Sequence, residues 1–421
     1  MKILKAKYIL ICDENFTVLK DKSITFDDKI KKTGNFKELL VLYPDAKTYD
    51  FGDDIVMPGL INSHTHLEFS ANKTNLIYGD FIKWVGSIVK NRDDLSKKAK
   101  GTIIKNAINS LTNSGVTTIG EISSFGASLK ECVDSPLRVV YFNELLGANE
   151  SVVEKNWNNF LKRFENSNKF KNDLFIPAAS IHAPYSTHPN LTKKLCEFAR
   201  KNKILISTHF LESNHENLWL RNGSGGFKKW LKNFSQNPEP FYSIKEFVEN
   251  FKGIKTLFIH CVYLKEFEIL DKKLHSIIHC AYSNRLLSKK SLNLKKVLKN
   301  DINLCIATDG LSSNISLNFF DELRANLLIH KDFDLQNLAK FLLLASTLNP
   351  AKALNLNLGS LEVGKIADIV VFKGFEVSDE KQIPLQLILN TKEAKNIFIK
   401  GEKIKWWKKS VNFLVIFWNL A

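Results

Sequence analysis

The stretch Val56-Met57-Pro58-Gly59-Leu60-Ile61-Asn62-Ser63-His64-Thr65-His66-Leu67-Glu68 decides how the chain reads. An apolar, β-branched run meets a Pro-Gly break, resumes, and ends in two histidines one residue apart. On an extended strand, residues i and i+2 share a face, so His64 and His66 present two imidazoles to one point. Such a pincer suits a divalent metal, because neutral imidazole nitrogen is a good ligand. Taken alone, the pair also fits a strand end with two unrelated histidines. The choice between them is made downstream.

There the sequence alternates. Helical periodicity over Phe81–Asn91 and over Leu95–Ser114, the latter stopped by Gly115, gives way to strands and helices in turn. The predicted strands are Val116–Ile122, Leu137–Glu144, Phe175–His182, Ile204–His209, Thr256–His260, Ser276–His279 and Leu304–Thr308. Helices are predicted over Val153–Asn166, Leu191–Lys201, Lys289–Leu298 and Phe320–His330. Alternation over roughly 280 residues predicts an α/β fold, a parallel sheet with helices outside. Chemistry at the C-terminal ends of several strands favours a closed (β/α)8 TIM-type barrel over an open sheet.

The two chain ends read differently. Short strands with turns are predicted at Ala6–Cys12, Phe16–Leu19, Ile24–Phe26, Leu40–Leu42 and Thr48–Asp50. Near the other end, Gly359–Phe372 is turn then strand, and Ile397–Lys400 and Lys403–Trp407 follow across a Gly401 turn. The expected organisation is therefore a small β-sandwich built from residues 1–56 and 355–421 around a barrel of residues 57–354.

Composition narrows the class. The 421 residues carry a formal net charge of +16, but lysines are spread along the whole chain rather than gathered in one block. Diffuse charge is a solvated surface and not a nucleic-acid footprint, although its field would draw in a small anionic substrate. Six cysteines sit in apolar segments without a Cys-x-x-Cys pair, as expected of reduced thiols in a cytoplasmic protein. The N-terminal residues show no signal-peptide pattern. The apolar run Val411–Trp418 is too short to span a bilayer and is expected to be a terminal strand or docking segment, against its own sandwich or in a homodimer.

Several predicted strands end in an ionisable residue: His182, His209 (with Glu212 three residues on), His260 and Asp309. One such ending is an ordinary meeting of strand and water. Four of them, with His64 and His66, on one end of one barrel make a metal site with room for water. A divalent metal lowers the pKa of its water, and Glu212 is close enough to move protons between that water and a substrate nitrogen. The chemistry expected is hydrolytic attack on a carbon bearing an amine or amide.

The ordered set resembles the amidohydrolase superfamily over nearly the whole chain. Pro58–His66 is similar to its first-strand signature, and Thr208-His209-Phe210-Leu211-Glu212 resembles its fifth-strand His-x-x-Glu. His260 resembles its sixth-strand histidine, Thr308-Asp309-Gly310 its eighth-strand segment, and Asn349–Leu354 with Gly359–Val371 its exit into the small domain. His279-Cys280-Ala281-Tyr282-Ser283-Asn284 looks like His-Cys-Pro-x-Ser-Asn, with alanine where proline is usual. His182 stands where binuclear members carry a carboxylated lysine, so the resemblance is to the mononuclear nucleobase-deaminase branch. It implies one divalent ion, Zn2+ or Fe2+, on His64, His66, His209 and Asp309. It further implies that Glu212 protonates the ring nitrogen, that His260 and Asp309 orient and deprotonate water, and that His182 contacts substrate. His279 is implied to be structural, and His188, His215, His275 and His330 read as bystanders on loops or helix ends.

A long aromatic, glycine-bearing insertion follows Glu212, and with Phe81–Val85, including Trp84, it is expected to build a lid. This arrangement resembles the aminodeoxyfutalosine deaminases of the futalosine route to menaquinone, whose substrate is an adenine nucleoside carrying a benzoate. A basic residue, Arg92, Arg138 or Arg221, is then expected to meet the carboxylate. Other readings remain open: a deaminase or chlorohydrolase for S-adenosylhomocysteine, methylthioadenosine, guanine, cytosine or a triazine, or a non-catalytic nucleic-acid-binding barrel.

Overall fold

The computed structural model describes residues 1–71, 74–98, 101–233 and 236–404, with side chains of 92–98 left out. The expected terminal segment at Val411–Trp418 lies outside the described residues. The N-terminal strands are β1 (Lys2–Leu10), β2 (Val18–Phe26), β3 (Ile30–Gly34), β4 (Lys47–Asp50) and β5 (Ile55–Pro58). Eight barrel strands follow: β6 (Leu60–Thr65), β7 (Val116–Ser123), β8 (Arg138–Leu145), β9 (Phe175–Ile181), β10 (Ile206–Phe210), β11 (Thr256–His260), β12 (His275–His279) and β13 (Asn303–Ile306). The chain then returns to the small domain with β14 (Ile369–Phe372), β15 (Ala394–Ile399) and β16 (Glu402–Lys403).

Strands β6 to β13 pair in sequence order, all parallel, with helices on the outside. Parallel strands covered on both faces need apolar residues throughout, and all eight residues of β7 and of β8 are buried. The outer helix Gly101–Asn113 buries Ile104, Ala107, Ile108 and Leu111, the spacing of one helix face. The seam between first and last strands is closed largely by a side chain. Asn62 donates to Thr308 Oγ1 at 2.7 Å, and its Oδ1 accepts the Thr308 N–H at 3.0 Å. The Asp309 N–H donates to the His64 carbonyl at 3.2 Å. This stitch brings the first-strand histidines beside Asp309.

The remaining strands form one mixed sheet in the order β16-β15-β14-β5-β1-β2-β3, with β4 also paired to β1. Although β2 and β15 stand four places apart in that order, the rings of Phe26 and Phe398 are 5.6 Å apart, and Tyr49 packs on Phe398 at 5.2 Å. The sheet therefore folds over on a core of Leu4, Ile24, Val56, Ile369 and Phe398, giving the expected β-sandwich.

Three local expectations change. Leu40–Leu42 is not a strand but the end of the helix Phe36–Leu42, which buries Leu39 and leaves Val41 and Leu42 exposed. Phe16–Leu19 and Ile24–Phe26 fall in or beside one long strand, β2, paired along β1. The helix expected at Lys289–Leu298 forms only over Leu294–Lys299, where the Asn293 side chain caps it. Lys289 itself has φ of 57°, which ends the preceding turn.

Candidate functional site

The expected residues converge at the C-terminal end of the barrel. His64 is in β6 and His66 just beyond it, His209 is in β10, His260 ends β11, and Asp309 follows β13. Within three overlapping groups (His64/His209/His260, His64/His66/Asp309 and Glu212/His260/Asp309) the potential ligand atoms lie within 4.8 Å of one another. Asp309 Oδ1 stands 3.6 Å from His64 Nε2 and 3.7 Å from His66 Nε2, and His66 Nε2 is 3.3 Å from His209 Nε2. Backbone strain aims these groups. Leu211, His260 and Asp309 all adopt positive φ, at 49°, 73° and 58°, which costs a non-glycine residue on the order of 1–3 kcal/mol. Gly310 is required beside them, since a Cβ there would sit 2.9 Å from His66 Cβ.

The polar atoms at the centre could hold a cation. Both ring nitrogens of His64, Nδ1 of His66 and Nε2 of His260 are buried without a hydrogen-bond partner. Orphaned buried nitrogens are rare unless an ion or water takes them up. The outer atoms are fixed. His209 Nδ1 donates to the His182 carbonyl at 2.9 Å, which leaves Nε2 with its lone pair inward, the arrangement of a ligating histidine. Burial, reinforced by His64, lowers the His66 pKa to about 3, and burial with the same neighbour places His209 well below its usual value. Burial alone would lift Asp309, but the close approach of His64 and the charges of His66 and His260 hold it well below the carboxylate range. Neutral imidazoles around one carboxylate are a donor set that fits a divalent cation.

Glu212 is the counterpart. Its Oε1 lies 3.5 Å from His260 Nε2, and burial, then the charges of Asp309 and Glu216, raise its pKa well above 4.5. Glu216, pushed up to about 7 by burial, accepts the Glu212 N–H at 2.9 Å and so pins that loop. One carboxyl of the site is thus pushed towards its ionised form and a neighbouring one towards its protonated form.

The remaining expectations divide. His182 follows β9 and commits Nδ1 to Ser186 Oγ at 2.6 Å. Trp84 lies in the helix Phe81–Lys98 and donates to the Ser312 carbonyl at 3.0 Å, three residues past Asp309. Phe227 of the insertion packs on Tyr185 at 4.3 Å and on Phe81 at 6.0 Å, so the expected lid elements meet over this end of the barrel. Arg92 belongs to the same helix, its side chain outside the described residues. Arg138 is not at the site. It starts β8, at the opposite end of the barrel, where it is buried against Asp368 at 3.2 Å. Arg221 donates to Asn217 Oδ1 and to Glu266 Oε2, both at 2.8 Å. Arg138 loses the carboxylate-binding role expected of it, because it is buried at the far end of the barrel, whereas Arg221 is partly exposed in its pair with Glu266.

Two of the supposed bystanders are buried. His275 begins β12, and His330 ends the helix Phe319–Ile329 with its Nε2 3.2 Å from His279 Nε2. The sequence reading also passed over Glu144, next to last in β8, whose carboxylate lies within 4.8 Å of ring nitrogens of His182 and His209. Its signal was the same as that of the other strand ends, an ionisable residue closing an apolar run.

Comparison with known proteins agrees with this fold. The amidohydrolase family pattern matches residues 55–404. An aminodeoxyfutalosine deaminase of Nitratiruptor sp. is 40% identical over 406 residues, covering 96% of this chain and 99% of that protein. An adenosine deaminase of Helicobacter pylori is 37% identical over 418 residues, at 96% and 99% coverage. The crystal structure of Helicobacter pylori aminofutalosine deaminase in complex with methylthio-coformycin superimposes with a TM-score of 0.92 at 36% identity, covering 96% of this chain and all of that one. The chain belongs to the amidohydrolase family and is a hydrolase acting on carbon–nitrogen bonds.

Proposed function

We propose that this chain hydrolytically deaminates an aminopurine nucleoside, turning an adenine ring into hypoxanthine and releasing ammonia. The substrate we assign is 6-amino-6-deoxyfutalosine, in the futalosine route to menaquinone. The observation that carries the reading is Glu212, a buried carboxyl raised towards its protonated form beside His260 and Asp309. Two carboxyls whose surroundings push their pKa values apart are an acid and a base in one pocket. The similarity to an aminodeoxyfutalosine deaminase over 96% of the chain supports the choice of substrate.

His64, His66, His209 and Asp309 would hold one divalent cation, and Zn2+ and Fe2+ both suit this nitrogen and oxygen set. When bound, that cation would supply Lewis-acid activation of water. Glu212 delivers its proton to the ring nitrogen beside the amine-bearing carbon, which lets that carbon accept the oxygen nucleophile. His260 and the Asp309 carboxylate orient the attacking water and take its proton, which then serves the departing amine. Carbon–nitrogen cleavage then releases ammonia, and the hydroxyl proton left on the carbon returns to Glu212, giving the keto form and restoring the acid. His182, with one nitrogen already fixed by Ser186, holds the heterocycle, and Trp84 closes over it. Of the three arginines, Arg92, on the helix that carries Trp84, is our choice for the benzoate.

The test is ammonia release, followed with the ultraviolet change from adenine to hypoxanthine. The panel holds 6-amino-6-deoxyfutalosine, S-adenosylhomocysteine, methylthioadenosine, adenosine, guanine and cytosine. Turnover of the carboxylated nucleoside far above the rest supports the reaction and substrate together. Preference for another base moves the substrate, and silence across the panel in metal-loaded protein overturns the proposal.

A further inference from the structure

Behind His260 runs a line of buried side chains. His260 Nδ1 lies 2.9 Å from Asn284 Oδ1, Asn284 Nδ2 lies 3.0 Å from His279 Nδ1, and His279 Nε2 lies 3.2 Å from His330 Nε2. His260, Asn284 and His279 are at most 1% exposed, and His330 is 7% exposed. The line leaves the barrel end through β12 and finishes on the helix Phe319–Ile329, whose Glu322 also accepts the Ala281 N–H.

An amide in such a line is directional, since one end only accepts and the other only donates. Asn284 Oδ1 accepts the hydrogen bond of the His260 Nδ1–H, which leaves His260 Nε2 with a lone pair. Asn284 Nδ2 gives its hydrogen to His279 Nδ1, so His279 carries its proton on Nε2 and donates to His330 Nε2. Reversing the amide reverses every member, and His260 would then present an N–H to Glu212 and Asp309. Asn284 passes orientation and not protons, so the line is no proton wire. Burial favours neutral rings at its far end, lowering His279 well below 6.5 and His330 to about 4. In a neutral ring, the partner of one nitrogen decides what the other offers.

We propose that His330 is a positioning residue, which by accepting from His279 sets the direction of the line and holds His260 in the tautomer with Nε2 unprotonated. This inference rests on the deaminase reading, in which His260 must accept from water. A lone pair at Nε2 does so, whereas an N–H there would compete with water for Asp309. His330 reaches no reacting atom itself, and its effect passes through two side chains.

The experiment compares His330→Leu, which removes the acceptor, with His330→Gln, which keeps one, on metal-loaded enzyme with the best substrate of the panel. His330→Leu is expected to lower kcat by about 10–100-fold, the range for residues that orient a site from behind, with KM within about twofold. His330→Gln is expected to keep kcat within about threefold of wild type. Equal losses in both variants, or a loss carried by KM, would overturn the proposal. To separate the line from general destabilisation, both changes are repeated with Asn284→Asp, whose carboxylate accepts at both ends and abolishes direction. The two His330 variants should then differ little, and an undiminished difference would contradict the inference. Wild-type turnover in the same assay tests the deaminase reading separately, so failure of one is distinguishable from failure of the other.

Discussion

Nε2 of His66 and Nε2 of His209 face each other at 3.3 Å, with their rings within 15° of parallel. The His209 proton is spent on the His182 carbonyl, so its Nε2 directs a lone pair into the gap. A cation shared by both nitrogens resolves this arrangement. Chelation should therefore remove activity and lower the melting temperature, and Zn2+ or Fe2+ should restore both. A ligand at 100 times its Kd adds about 2.7 kcal/mol of stability, a shift that calorimetry resolves easily. His66→Ala should abolish the metal-dependent shift while the fold persists by circular dichroism.

Glu212→Gln removes the proton donor without changing shape. The expected loss in kcat is about 10²–10⁴-fold, the usual contribution of a general acid. Metal content should be unchanged, because Glu212 is not among the proposed ligands. Elemental analysis beside steady-state kinetics checks both.

Arg138 and Asp368 are 230 residues apart in sequence and form a buried ion pair between the barrel and the small domain. Removing one partner of such a pair leaves an uncompensated charge, costing about 3–5 kcal/mol. Arg138→Ala should lower the denaturation midpoint sharply with KM unchanged for every substrate in the panel. A KM effect confined to the carboxylated nucleoside would return Arg138 to the pocket.

Glu322 gives a pH dependence of stability. Burial pushes its pKa from 4.5 up to about 8. The folded state therefore keeps a proton that the unfolded chain gives up above about pH 4.5. The contribution is fully present below that value and is lost as pH rises through about 8. Wild type should melt at a lower temperature at pH 8.5 than at pH 6, and Glu322→Gln should shrink that difference. An equal or larger difference in the variant would contradict the assignment.

Much of the candidate site is legible in the sequence. Histidine, glutamate and aspartate closing apolar runs reveal themselves locally, because strand periodicity and residue type suffice to place His64, His66, His209, His260 and Asp309 at one barrel end. The partners of Arg138 and Arg221 were not readable, since Asp368 and Glu266 are brought to them only by folding. The same is true of His330, which meets His279 across 51 residues. The helix at Phe36–Leu42 was misread because Leu40, Val41 and Leu42 suit a strand, while only Leu39 packs fully inward. Leucine and valine do not distinguish a short helix from a short strand.

The most direct test of the central claim is isotopic. Metal-loaded enzyme turns over 6-amino-6-deoxyfutalosine in ¹⁸O-water, and the product is weighed by mass spectrometry while ammonia is counted. The account predicts a single ¹⁸O at the former amine-bearing carbon and one ammonia per product, with both lost in Glu212→Gln. Release of free adenine, or product formed without ammonia and without ¹⁸O in the ring, would contradict it.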